Sequence, residues 1–121
     1  MIIWITGNSG AGKTTLAHKI KKQVPGALLI DGDDVRGKTG NWDFSKEARW
    51  EHNIKVAHLA AERNGDAELV IVSVIAPYKV LRDKIKGICD PLFIYLPGGR
   101  PSSNTYPYEL PDGLLDFNIK L

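Results

Sequence analysis

The chain has 121 residues, 43% of them hydrophobic, and a formal net charge of +2 with its charged residues scattered along it. This length predicts one domain with a single core over residues 1–121. The balanced charge argues against a nucleic-acid-binding protein that relies on a basic face. The lone Cys89 cannot form an internal disulfide, and no apolar run approaches the ~18 residues of a membrane span. We therefore expect a soluble, cytoplasmic protein with neither a membrane nor a nucleic acid as partner.

The first third of the chain predicts a strand, a helix and a second strand. "MIIWIT" is apolar and rich in β-branched residues, and Gly7 ends it. In "TTLAHKIKKQV", Leu16, Ile20 and Val24 recur every four residues, which is typical of a helix with one apolar side. Pro25 and Gly26 follow and end that helix. "ALLID" is a second apolar strand that finishes on an acidic residue.

The remainder continues the alternation of helices and strands. A second helix, capped by Asp43 or Ser45, carries one apolar stripe at Trp50, Ile54, Ala57 and Ala61. "LVIVSVI", "YKVLRDKIKGI" and "PLFIYL" follow as strand, helix and strand, residues 97–111 form a loop, and "LLDFNIKL" is a last short strand. Alternating strands and helices predict an α/β fold with an open, mostly parallel sheet of about five strands flanked by helices.

A glycine-rich loop joins the first strand to the first helix. "GNSGAGKT" fits the phosphate-loop pattern G-x-x-x-x-G-K-[ST], and it stands in the strand-to-helix context that the pattern requires. Backbone N–H groups in such a loop point at phosphate oxygens, and the helix N-terminus adds partial positive charge. The loop therefore predicts a P-loop NTPase-type fold that binds ATP through residues Gly7, Asn8, Ser9, Gly10, Ala11, Gly12, Lys13, Thr14 and Thr15. Lys13 would reach the outer phosphates, and the Thr14 hydroxyl would hold Mg²⁺.

A cluster of acids follows the second strand in "DGDDVR". In an open α/β sheet, ligands bind outside the carboxyl ends of the strands, so Asp31, Asp33 and Asp34 lie near the phosphate loop. One of these carboxylates could take a proton from an acceptor hydroxyl and another could order Mg²⁺ through water. The alternative is an acidic, solvated turn. Arg36 favours the first interpretation, because its planar guanidinium suits the phosphate or sulfate of a second substrate.

Polar residues on the second helix and after the third strand are less specific. Arg49 lies off the apolar stripe, and His52 and Asn53 share its side of the helix. That side could face an acceptor cleft, although each residue alone is more typical of a solvated helix surface. Lys79 and Arg82 follow the third strand at the edge of the sheet where we expect ligands to bind. Two interpretations are equally open for them: residues of the ligand site, or solvated residues on the surface of the helix.

The order of four segments resembles the adenylylsulfate kinase family. These segments are "WITGNSGAGKTT", "LLIDGDDVR", "FSKEARWEHNIKVA" and "VIVSVIAPYKVLRD", and the resemblance runs from the N-terminus to about residue 96. It implies transfer of the γ-phosphate of ATP to the 3′-hydroxyl of adenosine 5′-phosphosulfate (APS), a small-molecule nucleotide substrate. "YPYELP" also resembles the family's late Y-E-x-P segment, weakly.

The resemblance implies roles only for residues that match. Lys13 and Thr14 match the ATP and Mg²⁺ residues. Asp31 and Asp33 match the two acids of the family's D-G-D, one as candidate base and one as Mg²⁺ organiser, and we assign Asp33 to the metal together with Thr14.

Three further matches fall in the acceptor site. Arg36 matches an arginine that binds the sulfonucleotide, Phe44 a phenylalanine that stacks on its adenine, and Arg49 an arginine in the same site. Asn53, Ala76 and Pro77 complete the predicted substrate-binding set.

The chain also departs from the family pattern. Where the family has Asp-Arg-x-Glu-Asn, this chain has "ARWEHN", with Ala48 in place of the acid and His52 inserted before Asn53. Ala76-Pro77 replaces Ser-Pro, which removes a hydroxyl. After the fourth strand the family has a helix and a basic lid, whereas this chain passes into "PGGRPSSNTYPYELP", in which Arg100 is the only basic residue. We therefore expect a compact form without the usual lid.

Three functions remain open at this stage. The first is a compact phosphotransferase of adenylylsulfate kinase type. The second is a kinase for another small nucleotide or phosphorylated acceptor, which the altered helix and the missing lid would suit. The third is a nucleotide-binding module that has lost catalysis, which the retained acids disfavour. Such a small fold with exposed edges could also form a homodimer.

Overall fold

The computed structural model describes residues 1–32 and 45–111, together with the backbone of 117–118. Its strands are β1 (Ile2–Thr6), β2 (Leu28–Asp31), β3 (Val70–Ser73), β4 (Leu92–Tyr95) and β5 (Phe117–Asn118). Its helices are α1 (Lys13–Gln23), α2 (Lys46–Arg63) and α3 (Lys79–Cys89). The predicted elements are thus confirmed, including the last strand, which is two residues long.

All five strands form one parallel sheet in the order β2-β3-β1-β4-β5. Trp4 pairs with Val72 on one side and Phe93 on the other, so three large residues lie in one row across the sheet. Every strand runs in the same direction, so the carboxyl ends of the strands lie at one edge of the sheet. Four residues mark this edge: Thr6, Asp31, Ser73 and Tyr95. This common edge positions the candidate site.

The sheet is buried on both faces by two apolar clusters, which explains why its strands are apolar without alternation. Trp4, Val72 and Phe93 belong to the cluster that packs under α2 and α3. Ile5, Ile71 and Ile94 belong to the other cluster, against which the half-buried Leu16, Ile20 and Val24 of α1 pack as predicted. The buried Trp4 indole is satisfied, since Nε1 donates to the Val74 carbonyl at 3.2 Å.

Helix α2 begins as predicted but buries a different side. Ser45 caps it, with its Oγ accepting from the Ala48 N–H at 3.2 Å. The buried positions are Ala48, His52, Asn53, Val56, Ala57 and Ala60. The predicted stripe is wrong at Ala61, which is exposed, while Trp50 and Ile54 are half-buried. The buried side therefore carries two polar residues, and both of them line the cleft described below.

Cys89 is half-buried at the end of α3 and packs against the core. Burial, followed by the nearby Asp90 carboxylate, raises the pKa of the Cys89 thiol to about 11. It therefore stays protonated at neutral pH, a state that does not suit a nucleophile. No helix in the described ranges is long and apolar enough to cross a membrane.

Candidate active site

The glycine-rich loop between β1 and α1 has the geometry that its composition predicts. Gly10 and Gly12 have φ angles of 82° and 96°, values that side chains disfavour. Gly7 has no room for a side chain, because a Cβ there would lie 2.6 Å from the Leu96 carbonyl oxygen. Lys13 folds back over the loop, where its Nζ donates to the Asn8 carbonyl at 3.2 Å. The loop thus surrounds a space at the N-terminus of α1 that suits an anion.

At the predicted metal site, a hydroxyl group and a carboxylate are in contact. Thr14 Oγ1, at the start of α1, donates to Asp31 Oδ2 at the end of β2, at 3.2 Å. These hard oxygen donors fit Mg²⁺, which keeps several waters and takes few protein ligands beside substrate phosphates. Within residues 1–32 and 45–111, no three His, Cys, Asp or Glu side chains form a cluster that could hold a metal ion. Asp33, the other predicted metal ligand and candidate base, lies outside the described residues, as do Asp34, Arg36 and Phe44.

A cleft of about 460 Å³ opens beside the phosphate loop. It is bounded by the phosphate loop, the ends of β2 and β3, helix α2 and a segment near the C-terminus. The lining residues are Asn8, Ser9, Gly10, Lys13, Asp31, Gly32, Arg49, His52, Asn53, Ser73, Val74, Ile75, Pro77, Thr105, Tyr106 and Pro107. The structure thus brings Lys13, Asp31, Arg49, Asn53 and Pro77 of the predicted site together around one space.

Ala76 behaves differently from its neighbour Pro77. It is fully buried in the core, has a φ of 48° and is not among the residues that line the cleft. Its carbonyl accepts from Arg82 Nη1 at 2.8 Å. Ala76 therefore shapes the turn after β3, and its contact with a substrate stays a prediction.

Helix α2 supplies a polar wall of this cleft, which sequence reasoning recognised only in part. Arg49, His52 and Asn53 all line it, as their shared side of the helix predicts. His52, however, is only 5% exposed, whereas a solvated helix residue was the favoured interpretation. A Cβ on Gly32 would lie 3.2 Å from its Nε2, so the ring packs against the end of β2. The signal that could have revealed this is the four-residue spacing of Ala48, His52, Val56 and Ala60. His18 and His58 are exposed.

Asn53 carries a buried acceptor that has no hydrogen-bond partner among the described residues. Its Nδ2 donates to the Arg49 carbonyl at 2.8 Å, which fixes the orientation of the amide. Within the part of the chain that the structure describes, its Oδ1 is buried without a hydrogen-bond partner, and the residue is 2% exposed. An orphaned acceptor costs roughly 1–3 kcal/mol, and a ligand that donates a hydrogen bond would remove that cost.

We expect Asn53→Leu to weaken binding of the second substrate without lowering the stability of the protein. The substitution removes both the orphaned oxygen and the amide while keeping the volume, so the free energy of unfolding should stay level or rise by about 1 kcal/mol. Affinity for the second substrate should fall about tenfold. Thermal melts and acceptor titrations on the same preparations check the two effects. A destabilised protein with normal acceptor affinity would contradict the role of the Asn53 amide in acceptor binding.

Residues 97–110, which we call the strap, form the part of the site that sequence reasoning missed. Asn8 Nδ2 donates to the carbonyls of Arg100 and Tyr106, both at 2.9 Å. The Arg100 N–H donates to the Ser9 carbonyl at 2.8 Å, and a Cβ on Gly99 would lie 2.7 Å from the Asn8 carbonyl oxygen. Arg49 Nη2 reaches the Thr105 carbonyl at 3.0 Å. The strap is therefore fastened to both the phosphate loop and α2.

The distal half of the strap is fastened to the end of β1 and to helix α3. Tyr108 shares a hydrogen bond with Thr6 at 2.9 Å, and burial raises the pKa of its hydroxyl, so that group remains protonated. Arg82 is 3% exposed, and its Nη2 donates to the Glu109 carbonyl at 2.6 Å. Its guanidinium stands 5.2 Å from the centre of the Tyr108 ring. Solvated helix surface, one of the two interpretations of Arg82, is therefore wrong.

Known proteins resemble the chain in sequence over the same segments. A family model described as adenylylsulphate kinase matches residues 1–96. A probable adenylyl-sulfate kinase of Archaeoglobus fulgidus is 45% identical over 87 residues, which make up 68% of this chain and 56% of that relative. The chain thus spans little more than half the length of this curated relative.

Solved structures resemble it in fold over nearly the whole chain. The APS kinase CysC of Mycobacterium tuberculosis, solved as a cysteine-to-alanine mutant, has a TM-score of 0.79 and 25% identity, over 98% of this chain and 84% of the other. The same enzyme in complex with AMPPNP and APS aligns with a TM-score of 0.81 and 19% identity, over 98% of this chain and 87% of the other. At that identity the second likeness shows the fold alone.

Proposed function

Since this chain belongs to the adenylylsulphate kinase family, we propose that it transfers the γ-phosphate of ATP to the 3′-hydroxyl of APS. The observation that carries the proposal is the position of the cleft. The phosphate loop with Lys13 lies at one side of it, and Arg49 and Asn53 of α2 lie at another. Two substrates can therefore meet in one space, as phosphoryl transfer requires. In the fold neighbour that was solved with AMPPNP and APS, the same architecture binds both kinds of nucleotide.

The residues divide the chemistry between them. The loop N–H groups and Lys13 would hold the triphosphate, and Arg49 would bind the anionic acceptor. Mg²⁺, when bound, would neutralise charge that develops on the transferring phosphate. The contact between Thr14 and Asp31 supports a role for Asp31 on the metal side, which leaves Asp33 as the candidate base for the acceptor hydroxyl.

The test is phosphate transfer from ATP·Mg²⁺ to APS, with the Lys13→Ala protein as the blank. Transfer that disappears in the blank, typically by a factor of about 10² or more, is the expected result. Calorimetry with AMPPNP on the same preparations shows whether the phosphate loop is occupied. A wild-type protein that binds AMPPNP but leaves APS unchanged would refute the proposal.

A kinase for another nucleotide acceptor is the second candidate. It is favoured by His52, which lines the cleft in a stretch where the sequence departs from the family pattern, and by Ala76, which lacks the family's hydroxyl. A panel of nucleoside monophosphates offered in place of APS separates the two candidates. A panel member that is phosphorylated faster than APS would favour the second.

Three further properties are the domain organisation, the location and the oligomeric state of the protein. We propose that residues 1–121 form one kinase domain, that the protein acts in the cytoplasm and that it can form a homodimer. The lone cysteine suits a reducing compartment. Sedimentation velocity over a range of concentrations would determine the oligomeric state.

A further inference from the structure

We propose that His52 is a positioning residue that holds the turn after β2 and thereby directs the Asp31 carboxylate to the metal site, an inference that rests on the proposed kinase function. His52 is 5% exposed and lines the cleft, where its ring packs against the end of β2. A polar ring loses hydration when it is buried this far, so its place on α2 calls for a compensating contact. The end of β2 supplies the position of that contact.

The turn after β2 depends on packing because the sheet no longer holds it. Asp31 is the last residue of β2, and the ladder with β3 ends at its pairing with Ser73. Gly32 comes next, and a Cβ there would lie 2.8 Å from Val74 Cγ2 and 3.2 Å from His52 Nε2. Gly32 is thus enclosed between β3 and α2. The backbone that follows Asp31 therefore owes its position on the α2 side to the ring of His52.

Ala48 leaves the room that this ring requires. Residues four apart on a helix are neighbours on one side of it, so positions 48 and 52 adjoin on the buried side of α2. Ala48 is 8% exposed, and the acid that the family pattern has at this position would compete with the ring for the same space. The two departures from the family pattern, Ala48 and His52, are therefore explained by one packing arrangement.

Asp31 is the residue through which this packing reaches the chemistry. Its Oδ2 accepts from Thr14 Oγ1 at 3.2 Å, which is the contact at the predicted metal site. Gly32 follows Asp31 directly, so a shift of the turn would move the carboxylate out of this contact. Residues that orient a metal ligand without touching the metal typically contribute about 10–100-fold to metal affinity or activity. His52 therefore acts on Mg²⁺ through Asp31.

Calorimetry with AMPPNP tests this role without any phosphate transfer. The dissociation constant is measured with saturating Mg²⁺ and again with EDTA, and the ratio of the two values is the gain in affinity that the metal provides. His52→Leu should lower this gain about tenfold, because a loosened turn weakens the hold of Asp31 on the metal and its waters. The affinity in EDTA should stay within about threefold of the wild type. His52→Gln keeps a polar nitrogen at a similar reach and should retain most of the gain.

The Asp31→Asn protein shows whether His52 acts through Asp31. This substitution should by itself remove most of the gain, because a neutral amide binds Mg²⁺ more weakly than a carboxylate does. His52→Leu should then cost less than about twofold in the Asp31→Asn background, whereas independent residues would lose the same factor in both backgrounds. A full tenfold loss in that background would overturn the proposal, as would an unchanged gain in the single His52→Leu protein.

His58 offers a matched control on the same helix. It is exposed, so His58→Leu makes the same chemical change without disturbing a buried contact and should leave the gain unaltered. If His58→Leu lowered the gain as far as His52→Leu does, the effect would not belong to the buried ring and the proposal would fail. His52→Met serves as the second variant if the leucine protein does not fold.

The kinase function and the positioning role fail separately in this design. A reduced gain in His52→Leu, with no turnover of APS by the wild type, would refute the kinase and leave the role of His52 standing. With turnover present, His52→Leu should lower kcat about tenfold and leave the KM for APS within about threefold. An unchanged kcat with a raised KM for APS would show that His52 contacts the acceptor instead, which would overturn the positioning role and leave the kinase standing.

Discussion

The Arg82→Met protein is expected to lose about 3 kcal/mol of its free energy of unfolding, since charge-assisted hydrogen bonds contribute ~1.5–3 kcal/mol each. Arg82 is 3% exposed and donates to the carbonyls of Ala76 and Glu109 at 2.8 and 2.6 Å. Methionine keeps the length and apolar stem of the side chain but leaves both carbonyls without their donor. It also removes the charge that faces the Tyr108 ring. Relief from burying a charge offsets part of the loss, so the expected total is less than the two bonds would sum to.

Urea unfolding of Arg82→Met and of a matched control measures this loss. Lys84 lies on the same helix but is exposed, so Lys84→Met removes a cation without removing a buried contact and should change stability by less than about 0.5 kcal/mol. Equal stability of the two variants would show that Arg82 contributes no more than a surface lysine. A specific loss would show that the strap is an integral part of the fold.

The sheet could be predicted from sequence because its signals are local. β1 and β3 are short apolar runs rich in β-branched residues, β4 is a short run of aliphatic and aromatic residues, and segments with helical spacing lie between them. Pro25 and Gly26 follow the end of α1, and Ser45 caps α2 as its position implies. The phosphate loop is a fixed pattern in a fixed context, so its shape follows as well. These features depend on neighbours in the chain and do not require knowledge of distant contacts.

Helix α2 was harder because its largest apolar residues are not its most buried ones, and two polar residues lie on its buried side. Trp50 and Ile54 are its largest apolar residues, yet they are half-buried, while His52 and Asn53 are almost wholly covered. Hydrophobic periodicity assumes that the side facing the protein is apolar. The assumption fails for a helix that faces a polar cleft, because the buried residues that line the cleft are then polar.

The strap was unpredictable for a different reason. Its composition of Pro, Gly, Ser, Asn and Tyr indicates a loop, and in the described residues 97–111 it has neither helix nor strand. Composition does not reveal where a loop docks, because docking depends on partners that lie 27 to 98 positions away in the chain. Asn8 fits the phosphate-loop pattern as one of its unspecified positions, so nothing in that pattern marks it as an anchor. The contact becomes visible only in three dimensions.

Asn8→Leu is expected to lower kcat/KM for the acceptor about a hundredfold, an effect of ~2.7 kcal/mol. Both N–H donors of its amide hold strap carbonyls, and each such hydrogen bond is worth about 0.5–1.5 kcal/mol. Without them the strap loosens at Arg100 and Tyr106 together, which removes the support that Thr105 gives Arg49. A loosened strap also admits water to the phosphates, so ATP hydrolysis without acceptor should rise.

Three measurements separate this role from simple misfolding. Hydrogen exchange at the Arg100 amide, which is bonded to the Ser9 carbonyl, should accelerate about tenfold or more, while amides in β1 and β3 keep their protection. Affinity for AMPPNP should change by less than about threefold, because the loop backbone and Lys13 remain. Asn104→Leu makes the same chemical change at an exposed strap position and should leave exchange and acceptor kinetics unaltered. If Asn8→Leu matched this control in its acceptor kinetics, Asn8 would not be the anchor, and the strap would be held by its other contacts, among them those of Arg49, Arg82 and Tyr108.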